Sequence, residues 1–176
     1  MISGVRKLKQ QIFKDNRGSF IKTFNADLYD EFRLRGVKEY FFSKSKKNVW
    51  RGMHLQIGEF ASNRLIFCVN GAVFDFLLDL RKHSDTYLNV VSLELRGDNY
   101  AEGVFVPAGV AHGFLALCDY TEIHYISDRV YNQDSDTGVN PYSISEISKF
   151  LHKNEIEISH RDRELPTLEN FLLTNE

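Results

Sequence analysis

Four stretches of this 176-residue chain gather titratable residues and glycines in patterns that could do chemistry. In Trp50-Arg51-Gly52-Met53-His54-Leu55-Gln56, strand alternation puts Arg51 and Met53 on one face and Gly52, His54 and Gln56 on the other. His54 would then share an environment with Gln56, beside the space a glycine leaves, and an imidazole carries protons near neutral pH. A lone histidine is nonetheless more often a satisfied core or surface group. In Pro107-Ala108-Gly109-Val110-Ala111-His112-Gly113-Phe114, a proline and two glycines shape a tight backbone around a second histidine, His112. In Glu122-Ile123-His124-Tyr125-Ile126-Ser127, alternation separates Ile123 and Tyr125 from His124 and Ile126. An inward Tyr125 is either packing or a proton donor. Finally, Asp15-Asn16-Arg17-Gly18 offers a loop guanidinium whose planar fork suits phosphate oxygens. Ser159-His160-Arg161-Asp162 clusters charges late in the chain, an arrangement that is usually just solvated.

The P-x-G-x-x-H spacing around His112 is similar to the second metal-binding motif of cupins, but a metal reading fails on ligand supply. The earlier motif would need H-x-H, and His54 is followed by Gln56, so three or four donors are not assembled unless Glu59 joins. No metal is expected.

The elements that must position these residues read as strands. Fourteen Phe and eight Tyr, clustered with β-branched residues between turn signals, favour an all-β body. Leu65–Val69 and Ala72–Leu78 flank Asn70-Gly71, which predicts a type I′ hairpin. Further strands are expected at Tyr87–Leu95, Gly103–Val106, Phe114–Leu117 and Thr121–Ser127, separated by Arg96-Gly97-Asp98, Pro107-Ala108-Gly109 and Cys118-Asp119. Short strands at near-even spacing suggest a closed sandwich or jelly roll. Helix signals are confined to the ends, at Asn25–Arg33 and at Leu168–Leu173 behind the N-cap Thr167, with Ser145–His152 ambiguous. Length and the lack of a linker or repeat predict one domain over residues 1–176.

Composition narrows the partners. With 22 Lys+Arg against 24 Asp+Glu the net charge is −2, which gives no reason to expect nucleic acid or a membrane surface. No apolar run approaches the roughly 18 residues of a membrane span. Two cysteines, Cys68 and Cys118, and a start unlike a signal peptide read as a reduced, cytoplasmic protein.

In chain order, D-x-R-G-x-F at Asp15, R-G-M-H-L-Q at Arg51, N-R-L at Asn63, D-L-R-x-x-S-x-T at Asp79, P-x-G-x-A-H-G-F at Pro107, Tyr125 and S-x-R-D at Ser159 resemble the dTDP-4-dehydrorhamnose 3,5-epimerase family. The match spans Asp15 to Leu168. The resemblance implies a cupin-type jelly roll (double-stranded β-helix) with short peripheral helices, usually a homodimer. Such a protein inverts carbons flanking the C4 ketone of a nucleotide-linked sugar without metal or organic cofactor. Matched by position, it implies His54 as base, Asp162 as its carboxylate partner and Tyr125 as the acid on the opposite face. It further implies substrate contacts from Arg17, Arg51, Gln56, Arg64, His112, Tyr131, Asp136 and Arg161, with Arg64 where the family usually has lysine and Tyr131 stacking on the base. Epimerisation beside a ketone needs these parts: a base near neutral pH, a donor across the ring, and cationic help for the enolate.

Departures gather on the nucleotide side. Lys22 stands where the family has glutamate, and Glu39 and Phe41 where it has glutamine and asparagine. These swaps change acceptors into donors or remove polarity, which leaves the base open between dTDP and GDP and the sugar open to a heptose. Two other expectations share the motifs: a 3,4-ketoisomerase on the same fold and a silent sugar-nucleotide binding module.

Overall fold

The alternating aromatic and β-branched segments fold as strands, and the computed structural model describes residues 1–8, 10–25, 27–32, 34–97, 102–152 and 155–175. The chain opens with β1 (Arg6–Leu8), a hairpin of β2 (Gln11–Asp15) and β3 (Gly18–Lys22), and a short helix α1 (Asp27–Phe32). The body runs β4 (Glu39–Ser45), β5 (Val49–Gln56), β6 (Arg64–Asn70), β7 (Ala72–Asp79), β8 (Val90–Arg96), β9 (Gly103–Val106), β10 (Val110–Ala116) and β11 (Thr121–Ser127). The tail adds β12 (Asp136–Gly138), α2 (Ser145–Leu151), β13 (Glu157–Ile158), α3 (His160–Arg163) and α4 (Leu168–Thr174). Asp98 of the expected turn, and Ala26 and Arg33 of the expected first helix, lie outside the described residues.

Two antiparallel sheets, ordered β1-β9-β6-β11-β4 and β12-β5-β10-β7-β8, face each other as an all-β jelly roll of the cupin type with short peripheral helices. Between them lies an apolar core that includes Ile66, Val73, Leu77, Val104, Val110, Phe114, Ile123 and Tyr125. Ile147 and Leu151 of α2 and Phe171 of α4 cover the outer face of the second sheet over Trp50, Met53 and Leu55. Thr167 caps α4 as expected, its hydroxyl accepting from Asn170 N at 3.2 Å.

Two expectations fail for physical reasons. Asn70-Gly71 is not a hairpin: β6 pairs with β9 and β11, β7 with β10 and β8, so the dipeptide is a corner between sheets. Of the pair, only Gly71 has positive φ, where a type I′ turn needs two. Nor do Arg51 and Met53 share a face. His112 pairs with His54 but Phe114 with Arg51, so β5 carries one extra residue, a bulge that turns Arg51 inward while Met53 stays in the outer core. Gly52 sits in this bulge at φ 114°, and a Cβ there would lie 2.4 Å from Gly113 Cα.

The D-L-R-x-x-S-x-T motif closes the N-terminus onto the sandwich. Asp79, wholly buried, accepts from Arg81 Nε and Nη2 (both 2.8 Å), Ser84 Oγ and Thr86 Oγ1 (both 2.6 Å). Arg81 Nη2 also donates to Ser3 O at 2.7 Å, and Ser3 N donates to Thr86 Oγ1 at 3.0 Å. Burial alone would raise the Asp79 carboxyl, but these hydrogen bonds outweigh it and hold the group well below its ordinary value of 3.8. A depressed carboxyl stabilises the fold above that ordinary value and loses its contribution as pH falls through the folded value. Asp79→Asn should therefore cost on the order of 3 kcal/mol in denaturant unfolding near neutral pH. The gap between variant and wild type should narrow as the pH drops below 3.8.

Candidate active site

Where the apolar core ends, the inward residues of both sheets turn polar and line a cavity of about 770 Å³. From the second sheet come Arg51, His54 and Gln56 of β5 and His112 of β10; from the first come Glu39, Phe41, Ser43 and Ser45 of β4, Arg64 of β6 and Tyr125 of β11. Tyr131, Asp136, Arg161 and Asp162 also line it.

The imidazole of His54 is oriented from behind. Its Nε2 donates to Asp162 Oδ1 at 2.9 Å, which leaves Nδ1 carrying the lone pair. The other oxygen, Oδ2, accepts from the bulge amide Gly52 N at 3.1 Å. Asp162 is placed by the start of α3, where Ser159 Oγ accepts from Asp162 N at 3.1 Å. Burial would raise the Asp162 carboxyl, but the bonds from His54 and Gly52 keep it below its ordinary value, so it persists as a carboxylate.

A second buried pair stands beside the first. His112 is the cross-strand partner of His54, and its Nε2 donates to Asp75 Oδ1 at 2.6 Å with both side chains out of solvent. Across the cavity, the Tyr125 ring stacks on Phe41 (4.6 Å between centroids, 9° between planes) and meets His112 edge-on at 6.0 Å. Burial, reinforced by the Asp75 charge, pushes the Tyr125 phenol far above its ordinary value of 10.0, while Ser43, Arg64 and Arg51 pull it down. The phenol therefore stays neutral. His124 faces the outer side, as alternation requires, where Tyr40 Oη donates to Nδ1 (2.6 Å) and Nε2 donates to Glu122 (2.8 Å).

The cations are arranged differently from one another. Arg64 Nη2 donates to the carbonyls of His54 (3.2 Å) and Val110 (3.3 Å), which fixes the guanidinium against the wall. Burial lowers its pKa, and Tyr125, Asp136 and Asp75 work the other way. Arg51 Nε donates to Ser45 Oγ at 3.0 Å, and Arg161 pairs with Asp136 at the mouth. Tyr131 is exposed, and its phenol is raised first by burial and then by Asp136.

The expected base, acid, carboxylate partner and substrate contacts all line this cavity except Arg17. It sits on the β2–β3 hairpin with its guanidinium on Asp15, and Lys22 is on the same hairpin. Gln56 lines the cavity, but its amide is spent on backbone: Nε2 donates to Phe60 O and, in the loop that carries Tyr131, to Val130 O, and Oε1 accepts from Asn132 N at 2.6 Å. Glu39 holds the same loop, accepting from Tyr131 N at 2.9 Å. Sequence reasoning missed Asp75, whose signal was an acid set inside the apolar run Val73–Leu78. Among the described residues no group of three or more His, Cys, Asp and Glu comes together to hold a metal ion.

The sequence model of the family described as dTDP-4-dehydrorhamnose 3,5-epimerase matches residues 1–170. A dTDP-4-dehydrorhamnose 3,5-epimerase of Salmonella typhimurium (strain LT2) is 36% identical over 179 residues, covering 98% of this chain and 95% of that protein. The crystal structure of dTDP-4-dehydrorhamnose 3,5-epimerase from Elizabethkingia anophelis NUHP1 superposes with a TM-score of 0.84 at 30% identity, covering 96% of this chain and 93% of that one. That of the enzyme from Bacillus anthracis str. Ames, with TDP and PPi bound, gives 0.84 at 31% identity, covering 93% and 94%.

Gln56→Ala removes the loop's bonds at Val130 O and Asn132 N and a third at Phe60 O, at about 0.5–1.5 kcal/mol each. The Asn132 amide should then exchange with deuterium at least about tenfold faster, read by hydrogen exchange, with His54 and Asp162 still paired.

Proposed function

Because the chain belongs to the dTDP-4-dehydrorhamnose 3,5-epimerase family, a family of isomerases, we propose that it inverts C3, C5 or both of a nucleotide-activated 4-keto sugar, with His54 as base and Tyr125 as acid. The observation that carries this reading is the placement of a carboxylate-backed imidazole and a buried neutral phenol on facing sheets of one cavity.

Inversion requires that a proton leave one face of a carbon and arrive on the other. His54 Nδ1 takes the proton from the carbon beside the ketone, and the C–H electron pair becomes the enolate, whose charge rests on the C4 oxygen. Asp162 holds the Nε2–H and stabilises the imidazolium that forms. Arg64, braced by two carbonyls, offers a fixed positive charge to the enolate oxygen. Tyr125 then gives its O–H proton to the carbon from the other side. Arg51 and Arg161 suit the diphosphate, His112 the sugar, and Tyr131 the flat face of the base, with Asp136 orienting Arg161.

The base pocket supports a second reading of the nucleotide. The Glu39 carboxylate only accepts hydrogen bonds, and it lines the cavity where one oxygen already holds Tyr131 N. Guanine offers adjacent N–H donors to such a group, whereas thymine offers one N–H between two carbonyls, so GDP-linked sugars belong beside dTDP-linked ones as substrates, heptoses included. Arg17 and Lys22, which do not line the cavity of their own chain, are ligands in this reading only across a homodimer. Self-association is supported by exposed Phe13, Phe20, Tyr40 and Phe42 and by the uncovered edge strand β4. A cytoplasmic setting suits a nucleotide-sugar substrate, and among the described residues no helix is long and apolar enough to cross a membrane.

Incubation with dTDP- and GDP-linked 4-keto sugars in deuterated water should place deuterium at C3 or C5 and invert that centre, read by NMR. A folded sample that exchanges neither sugar overturns the proposal, a shifted carbonyl marks a 3,4-ketoisomerase, and binding without exchange marks a silent binding module. In the same assay Asp162→Asn should lower kcat/KM by about 10²- to 10⁴-fold, and Tyr125→Phe should block inversion without unfolding the protein.

A further inference from the structure

Three buried side-chain polar atoms lack a hydrogen-bond partner among the described residues: Ser43 Oγ, Arg64 Nε and Asp75 Oδ2. Unpaired buried groups are uncommon, and each calls for a physical explanation. All three belong to residues that bear on Tyr125, Asp75 and Arg64 by their charge and Ser43 by hydrogen bonding. Arg64 and Asp75 are ionisable groups with other bonds on the same side chain. Ser43 differs, being a neutral hydroxyl able to donate and accept, and the group it bears on is the Tyr125 phenol.

The register explains its position. β4 runs antiparallel to β11 with Phe41 opposite Tyr125 and Ser43 opposite Ile123, so Ser43 and Tyr125 are diagonal neighbours on the inner face. Phe41 covers one face of the Tyr125 ring and His112 closes on it edge-to-face, which fixes the ring and leaves its hydroxyl end to the cavity. Solvent access is unequal between the two proton carriers: the His54 side chain is 26% exposed, whereas Tyr125 is 7% exposed. After inversion the imidazolium can return its proton to water directly. The phenolate is formed in a place where burial opposes charge.

We propose that Ser43 is a positioning residue for Tyr125, its hydroxyl donating to the phenolate oxygen as the proton leaves for the sugar carbon. The hydrogen bond turns the phenol toward the substrate beforehand and stabilises the charge afterwards. Water then returns a proton to the phenolate, and Ser43 keeps its own. Burial dominates the raised pKa of Tyr125, and Ser43 is the first of the groups that counter it. This inference rests on the acid role assigned to Tyr125 above.

The test compares Ser43→Ala with Ser43→Thr in deuterated water, measuring both inversion and deuterium in recovered substrate. Exchange without inversion needs only His54, so it should stay near the wild-type rate in Ser43→Ala. The kcat for inversion should fall roughly 10- to 100-fold, the effect of one hydrogen bond to a charged group, with KM within about twofold. Ser43→Thr should recover most of that loss. Unchanged kcat, exchange and inversion falling together, or a threonine no better than alanine each overturns the proposal. A wild-type protein without exchange on any sugar nucleotide instead sinks the epimerase reading itself, and this inference with it.

Discussion

The Asp162 carboxylate, gripped by His54 Nε2 on one oxygen and by the Gly52 amide on the other, is the contact on which the rest of the site depends. It joins a strand to a helix 108 residues downstream and decides which nitrogen of the imidazole is left to accept a proton. Both ends rest on unusual backbone. The bulge in β5 frees the Gly52 amide from the ladder, and Trp50 Nε1, donating to Gly52 O at 2.8 Å, holds that bulge from the outer core. On the other side, Ser159 caps α3 and fixes the backbone of Asp162. A side chain at Gly52 would strike Gly113, so the strand that carries His54 and the strand that carries His112 approach closely only because both positions are glycine.

The jelly roll adds the second condition, two sheets whose inner faces pack at one end and part at the other. His54 and Tyr125 stand on different sheets, separated by a void that begins where the core of Ile66, Val104 and Ile123 ends. The environments diverge accordingly. The imidazole keeps an open side and a charged partner, whereas the phenol is packed between aromatic rings and remains neutral. Burial holds the proton on the phenol, and the carboxylate behind the imidazole fixes which of its nitrogens faces away from Asp162.

Local patterns in the sequence were reliable wherever packing followed the simple period. Thr121–Ser127 forms a strand over those residues, with Tyr125 inward and His124 outward, because alternation is set by the pleat alone. Thr167 caps the last helix for the same local reason. Long-range choices were not legible. Asn70-Gly71 has hairpin composition, yet the strands beside it find better partners in different sheets. The bulge that sends Arg51 inward leaves only a glycine as its trace. Asp75 was visible as an acid within an apolar strand, but its partner His112 lies 37 residues away and only the pairing of β7 with β10 brings them together.

The residues in which this chain departs from its family's usual pattern fit the local packing. Arg64 reaches further than a lysine would, and the extra length is used against the carbonyls of His54 and Val110, so the larger cation is anchored where an ammonium would be a point charge. Phe41 gives up an amide and gains a parallel stack on the Tyr125 ring. Glu39 trades a donor for a second acceptor and uses one oxygen on the loop that presents Tyr131. Each of these side chains is thus fixed against a neighbour at the cavity wall, Arg64 on two carbonyls, Phe41 on a ring and Glu39 on a backbone amide.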